Sequence, residues 1–274
     1  MANPPQFLPP AASVLSGLEA VRGWAADFYR DLHAHPELSH EERATASKVA
    51  ERLGASGIEV HSGIGGTGVV GLVKNGDGPT LLLRADMDAL PVAEATGLPY
   101  ASHTTATDGA GNEVPVMHAC GHDMHVACLL GAAHLLAASR DSWSGTVVAL
   151  FQPAEETGDG ARGMLDDGLA TLVPKVDVAL AQHVLPAPAG LVGTHPGPTL
   201  SAADSMRITL HGRGAHGSMP QASVGKQARR TAGGPAAFEP GHPCTPAGGR
   251  RTWRSPPPRT PPSPRGEPAR SAAT

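Results

Sequence analysis

Apolar positions follow two rhythms along roughly the first 210 residues. Between Ser13 and Leu32 they recur near helical spacing, and Ser16 followed three residues later by Glu19 has the form of a capping box. A second helix is expected to start at Ser39, with Glu42 three residues on, and to end near Gly54 or Gly57. Two more are expected between Asp123 and Ala138 and between Gly160 and Leu169. Short β-rich runs lie at Val69–Val73, Leu81–Ala85, Val147–Phe151, Val178–Ala181 and Met206–Leu210. Strands alternating with helices of this length predict an α/β fold: a mixed, mostly parallel sheet with flanking helices on both faces. Ligands of such sheets gather at the carboxyl ends of the strands, and the polar clusters of this chain fall there.

Composition changes this picture at one point. The chain has 274 residues, 40% hydrophobic and 17% charged, as in an ordinary globular protein. Residues 1–224 carry 12 Lys/Arg and 23 Asp/Glu, a net charge of −11, whereas 225–274 carry 9 and 2, a net charge of +7. Residues 225–274 also contain 11 prolines and no Leu, Ile, Val or Met. Such a segment buries too little apolar surface to offset its ordering entropy, so a disordered tail is expected. Two origins stay open: a genuine Pro/Arg-rich tail for an acidic partner or an SH3-like groove, or translation of GC-rich DNA out of frame, which is the preferred reading.

Other classes are excluded by what is present. Met1–Pro10 has no positive residue and no long apolar run, so no secretory signal is read. Val126–Ala138, the most apolar stretch, is too short to span a bilayer and carries His134. Cys120, Cys128 and Cys244 make no disulfide framework, which points to reduced, cytoplasmic chemistry. No interleaved aromatics accompany the basic residues, so neither nucleic acid nor membrane is expected as a partner.

Four clusters carry chemistry. Arg84-Ala85-Asp86-Met87-Asp88 ends a predicted strand, where paired carboxylates orient a metal-ligating imidazole or simply cap a loop. Met117-His118-Ala119-Cys120-Gly121-His122-Asp123-Met124-His125 packs one thiol and three imidazoles into a helix entrance. Cys120 and His122 can face one site if the backbone there is extended; the bland alternative is a reduced core cysteine beside solvated histidines. Phe151-Gln152-Pro153-Ala154-Glu155-Glu156 follows an apolar strand, so one carboxylate can bind metal while its neighbour takes a proton, unless the pair is merely a surface one. In Ala181-Gln182-His183-Val184 a lone histidine ends a strand, and taken alone it reads as a satisfied core or surface residue. Cys128 is expected in the core.

Taken in order, these motifs resemble the metal-dependent amidohydrolase family of aminoacylases and carboxypeptidases with two co-catalytic metals. The nearest branch holds hippurate hydrolases, N-acyl amino acid amidohydrolases and auxin-conjugate hydrolases. Asp86 stands where the wider family has His, as is usual for this branch, and Asp31-Leu32-His33-Ala34-His35-Pro36-Glu37-Leu38 with Glu41-Glu42 also matches. The resemblance covers about residues 15–224. It implies a zinc-exopeptidase-like catalytic domain over 1–198 and the beginning of a small α+β lid or dimerisation domain over 199–224. It further implies two divalent ions (Zn, Mn, Co or Ni) held by Cys120, His122, Glu156 and His183, with Asp86 and Asp88 supporting the ligands and His33 and His35 structural. Glu155 becomes the general base. His216, within Gly212-Arg213-Gly214-Ala215-His216-Gly217, becomes an oxyanion-stabilising residue reaching into a partner subunit, unless it is a solvated loop residue. The implied reaction is hydrolysis of N-acyl amino acids, hippurate-like in type, with an N-acetyl-diamino-acid deacetylase as a neighbouring alternative.

The resemblance stops after Val224, where the family continues with Asp-Pro and this chain with Gly225-Lys226. The rest of the lid and the late metal-ligating histidine have no counterpart. Incomplete metal occupancy is therefore expected, the family's homodimer loses its basis, and an inactive metal-binding fragment is the competing reading.

Overall fold

The computed structural model describes residues 9–194, 196 and 197. The expected strand Met206–Leu210, the lid segment 199–224, His216 and the tail 225–274 lie outside the described residues. A compact unit spans Met1–Gly193.

Its centre is a five-stranded sheet of β1 (Glu59–Ile64), β2 (Gly68–Asn75), β3 (Thr80–Asp86), β6 (Gly145–Gln152) and β7 (Val178–Ala181), ordered β1-β2-β6-β3-β7. A small hairpin, β4 (Thr105–Thr107) and β5 (Glu113–Pro115), stands apart. β3 pairs in parallel with β6 and β7, whereas β2 runs against both β6 and β1. All strands but β2 therefore share one direction, which is the mixed, mostly parallel sheet expected.

Period-two alternation divides the core between the two faces. Val69, Val73, Val147, Ala149 and Phe151 pack on one side with helices α2 (Leu18–Ala34), α3 (Arg43–Ala55) and α4 (His122–Ala138). Val70, Leu72, Val148 and Leu150 face the other side, against Met164 and Leu169 of α5 (Gly160–Asp166) and α6 (Leu169–Leu172). Burying one such Leu or Val contributes about 1.5–3 kcal/mol. α4 has apolar residues nearly all round because it lies between the sheet and α2, with Val126, Leu130 and Ala133 fully buried.

Several sequence expectations shift. The single helix from Ser13 to Leu32 is two, α1 (Pro9–Leu15) and α2, and no capping box forms. Ser16 Oγ instead donates to Ser13 O at 2.7 Å. A Cβ at Gly17 would stand 2.9 Å from Leu135 Cδ2, so the break lets α2 close onto α4. The second helix starts at Arg43 and not at Ser39; Ser39 and Glu42 turn inward to other partners. Glu37 caps α3 in their place, accepting the Ala44 and Thr45 N–H groups at 3.0 and 2.8 Å. The predicted Gly160–Leu169 helix breaks at Gly168 into α5 and α6. β1 escaped notice because its half-exposed residues lack an apolar alternation. Cys128 is exposed, not core: it lines an apolar groove of about 430 Å³ between α2 and α4.

Candidate metal centre

Parallel pairing fixes where the chemistry collects. Asp86 is level with Gln152, and Ala181 with Arg84, so β3, β6 and β7 end at the same edge of the sheet. The segments leaving that edge carry Asp86 and Asp88, Glu155 and Glu156, and His183. Cys120 and His122 join them from the N-terminus of α4. The backbone between those two is not extended. Gly121 adopts φ +85°, a left-handed turn that directs the thiol and the imidazole to one place.

Three overlapping groups result, each with ligand atoms within 4.8 Å of one another: Cys120, His122 and His183; His122, Glu155 and Glu156; and Asp86, His122 and His125. Cys120 Sγ stands 3.4 Å from His183 Nε2. His122 Nε2 is 3.6 Å from Asp86 Oδ2, 3.8 Å from Glu155 Oε2 and 3.9 Å from Glu156 Oε1. The three gaps around His122 Nε2 are too long for hydrogen bonds. They suit donors around an ion, since two ligands at about 2.0–2.2 Å and a tetrahedral angle lie about 3.4 Å apart. His122 Nε2 and Glu156 Oε1 are buried and have no hydrogen-bond partner. Buried orphan acceptors are rare unless a ligand completes them. The residues therefore fit a divalent ion, and the mixed thiolate, imidazole and carboxylate donors suit borderline metals such as zinc or cobalt.

Asp88 organises the cluster. His122 Nδ1 donates to Asp88 O at 2.9 Å and approaches its Oδ1 at 3.2 Å, while Ser39 Oγ and the Glu156 N–H donate to Oδ2 at 2.7 and 2.9 Å. Burial alone would raise this carboxyl, but those hydrogen bonds outweigh it and bring the pKa down to about 2. Asp88 thus holds His122 by its Nδ1. Asp86 does something else. Its Oδ1 accepts from His125 Nδ1 at 2.6 Å, and its Oδ2 lies 2.9 Å from Arg84 Nη1. Burial opposes ionisation of Asp86, yet the bond from His125 and the charges of His122 and Arg84 hold it below the usual range.

Remaining groups are poised by their surroundings. Burial, then the charges of Glu156, Glu155 and Asp86, push the Cys120 thiol up to about 11. Burial and the adjacent Glu155 also raise Glu156. For His122, burial is outweighed by the bond to Asp88 and the neighbouring carboxylates, and the ring is raised. His33 has both ring nitrogens engaged, Nδ1 with Asp123 at 2.6 Å and Nε2 with Glu94 at 3.1 Å. Beside the cluster opens a cavity of about 490 Å³, lined among others by Tyr29, His33, His118, Cys120 and His183.

Two contributors were not legible as such. Glu42, taken for a helix cap, is fully buried and accepts from Ala154 N–H at 2.8 Å, His40 N–H at 3.0 Å and Thr67 Oγ1 at 2.6 Å. It holds Ala154 at φ +50°, the strained turn that delivers Glu155 and Glu156. His125 lay inside the quoted motif, but its role depends on β7, far away in sequence.

An open α/β sheet with a thiol, imidazoles and carboxylates converging at the ends of its parallel strands defines a protein of the α/β metal-site class. The chain belongs to peptidase family M20/M25/M40, whose family model matches residues 82–272, a span running past Val224. It is 41% identical to thermostable carboxypeptidase 2 of Saccharolobus solfataricus over 76% of this chain and 51% of the relative. Likewise it is 42% identical to the N-acetyl-L-cysteine deacetylase of Bacillus subtilis, over 70% and 44%, and 41% identical to the hippurate hydrolase of Campylobacter jejuni, over 69% and 47%. A solved dinuclear metal-binding peptidase of the M20 family from Bacillus subtilis superposes with a TM-score of 0.54 at 39% identity, covering 61% of this chain and 44% of that one. The chain spans about half the length of the curated relatives it matches. Among the described residues no helix is long and apolar enough to cross a membrane.

Proposed function

We propose that this chain carries the metal-binding and proton-transfer residues of a hydrolase that cleaves the amide bond of N-acyl amino acids. The observation carrying the reading is the cluster around His122 Nε2, an orphaned buried acceptor with thiol, imidazole and carboxylate donors within ligand distance. Cys120, His122, Glu156 and His183 would hold the metal. Divalent ions there supply acidification of water and polarisation of the amide carbonyl.

The chain's own residues do the rest. Glu155, whose side chain is 38% exposed against 21% for Glu156, faces the open side and takes the proton of the attacking water. As the water oxygen bonds to the carbonyl carbon and the C–N bond breaks, Glu155 returns that proton to the leaving nitrogen. Asp88 fixes His122, Glu42 fixes the Glu155–Glu156 turn, and the neighbouring cavity receives one end of the substrate. Names of relatives support both an acetyl and a benzoyl acyl group, so hippurate-like substrates and N-acetyl amino acids stand on equal terms.

A second reading is metal binding without turnover. It is favoured by the donor groups among the described residues all sharing His122, which suits one ion better than a pair. Metal analysis of the purified chain, with hydrolysis of hippurate and N-acetylcysteine in cobalt, manganese or zinc, separates the two. Turnover that is abolished in Glu155→Gln with metal retained supports the hydrolase. Metal retained without turnover in the parent chain supports the second reading, and a chain that binds no metal refutes both.

A further inference from the structure

The imidazole of His125 lies in the cluster, with its ring centroid 5.5 Å from that of His122 and 4.7 Å from that of His183. It resembles a ligand until its two nitrogens are accounted for. The Val184 N–H donates to His125 Nε2 at 3.0 Å, so Nε2 accepts and carries no proton. The ring proton is therefore on Nδ1, which donates to Asp86 Oδ1 at 2.6 Å. Both nitrogens are engaged, and neither lone pair is left for a metal.

The tether ends one residue from His183, whose Nδ1 donates to Val184 O at 2.7 Å. That bond leaves His183 Nε2 as the free acceptor, and Nε2 is the atom facing Cys120 Sγ. Val184 is also held from below. A Cβ at Gly121 would stand 2.3 Å from Val184 Cγ2, so only glycine lets Val184 sit against the turn between Cys120 and His122. β7 needs such a fastening. Among the described residues it is an edge strand with all four residues exposed, and His183 follows it on a segment whose described side chains are exposed.

We infer that His125 is a positioning residue and not a ligand: through the chain Asp86–His125–Val184 N–H it locks the segment after β7, so that His183 Nε2 enters the Cys120–His122 site. This rests on the proposed ligand role of His183. Residues that orient a ligand typically shift metal affinity about 10–100-fold when removed.

The test is a double-mutant cycle on the full 274-residue chain, with Co(II) affinity read from the thiolate-to-cobalt absorption and from chelator competition. His125→Phe keeps the ring but neither donates nor accepts. It is expected to weaken Co(II) binding about 10-fold or more, and to add less than about twofold once His183 is Ala. His125→Gln, whose amide can both accept from Val184 and donate to Asp86, is expected to stay within about threefold of the parent. It also answers the objection that any change at this site simply unfolds the chain. If His125→Phe lowers affinity as much in the His183→Ala background as alone, His125 is itself a ligand and the inference falls. If His183→Ala weakens binding but His125→Phe does not, the tether alone is overturned. If His183→Ala has no effect, the ligand role of His183 is wrong and the tether falls with it.

Discussion

Glu42 offers the sharpest check on how the site is built. Its carboxylate is fully buried and receives three donors: Ala154 N–H and His40 N–H on Oε1, and Thr67 Oγ1 on Oε2. Glu42→Ala would strand all three. Each buried donor left without an acceptor costs about 1–3 kcal/mol, and with local relaxation the set amounts to about 3–5 kcal/mol. Glu42→Gln is different. The amide oxygen can keep both N–H donors, and the amide nitrogen can donate to Thr67 Oγ1 once that hydroxyl rotates, so the loss is about 1 kcal/mol or less. Urea unfolding monitored by circular dichroism measures both, and slopes of about 1–3 kcal/mol per molar would separate the midpoints by about 0.7–4 M. Because the brace holds the turn before Glu155, Glu42→Ala should also weaken metal binding. Equal losses for the two variants, or a loss below about 1 kcal/mol for Ala, would refute the accounting.

Other perturbations test neighbouring parts. Asp88 titrates at about 2 against its ordinary 3.8, so its contribution of about 2–3 kcal/mol is present above pH 3.8 and disappears as pH falls toward 2; the stability gap between parent and Asp88→Asn should close over that window in urea melts. Cys120, with its thiol pushed up to about 11, is protonated at neutral pH, so metal uptake must expel that proton. Calorimetric titration of metal in buffers of different ionisation heat should show about one proton or more released per ion, and no release would remove Cys120 from the ligand set. Gly160→Ala would place a Cβ 1.8 Å from Pro153 O, a side-chain atom against fixed backbone. We expect it to destabilise by more than about 2 kcal/mol and to lower the thermal midpoint.

What could be read in advance divides along physical lines. The long apolar runs of β2 and β6 and the helix after Asp123 are strong local signals, because burial on both faces leaves few polar gaps in the pattern. β1 was silent because an edge strand with half-exposed residues needs no apolar alternation. Ser39 and Glu42 have the spacing of a capping box, yet Asp88 and Ala154, distant in sequence, compete for those side chains and win. Cys128 sits in an apolar stretch and was read as core, but the groove between α2 and α4 leaves it uncovered. For the site, the density of donors in His118–His125 and the Glu155–Glu156 pair was enough to mark the place. Which donor does what was not, since the roles of Asp86 and Asp88 depend on which imidazole each meets across the fold.

That difference extends to every histidine of the cluster. The imidazoles are chemically identical, and each has two nitrogens, so the partner of one nitrogen decides what the other can do. Asp88 takes Nδ1 of His122 and leaves Nε2 pointing at the carboxylates. The Val184 carbonyl takes Nδ1 of His183 and leaves Nε2 toward Cys120. His125 has both nitrogens occupied and so serves as a strut. His33, between Asp123 and Glu94, is fully occupied in the same way, and unlike His125 it stands outside the groups with metal-ligand geometry. A substitution such as Asp88→Asn therefore acts on the centre without touching it, by weakening the hold on His122 Nδ1 and on the Glu156 N–H. The second partner of each ring, set by contacts 1 to 90 residues away in sequence, carries the assignment that the motif alone leaves open.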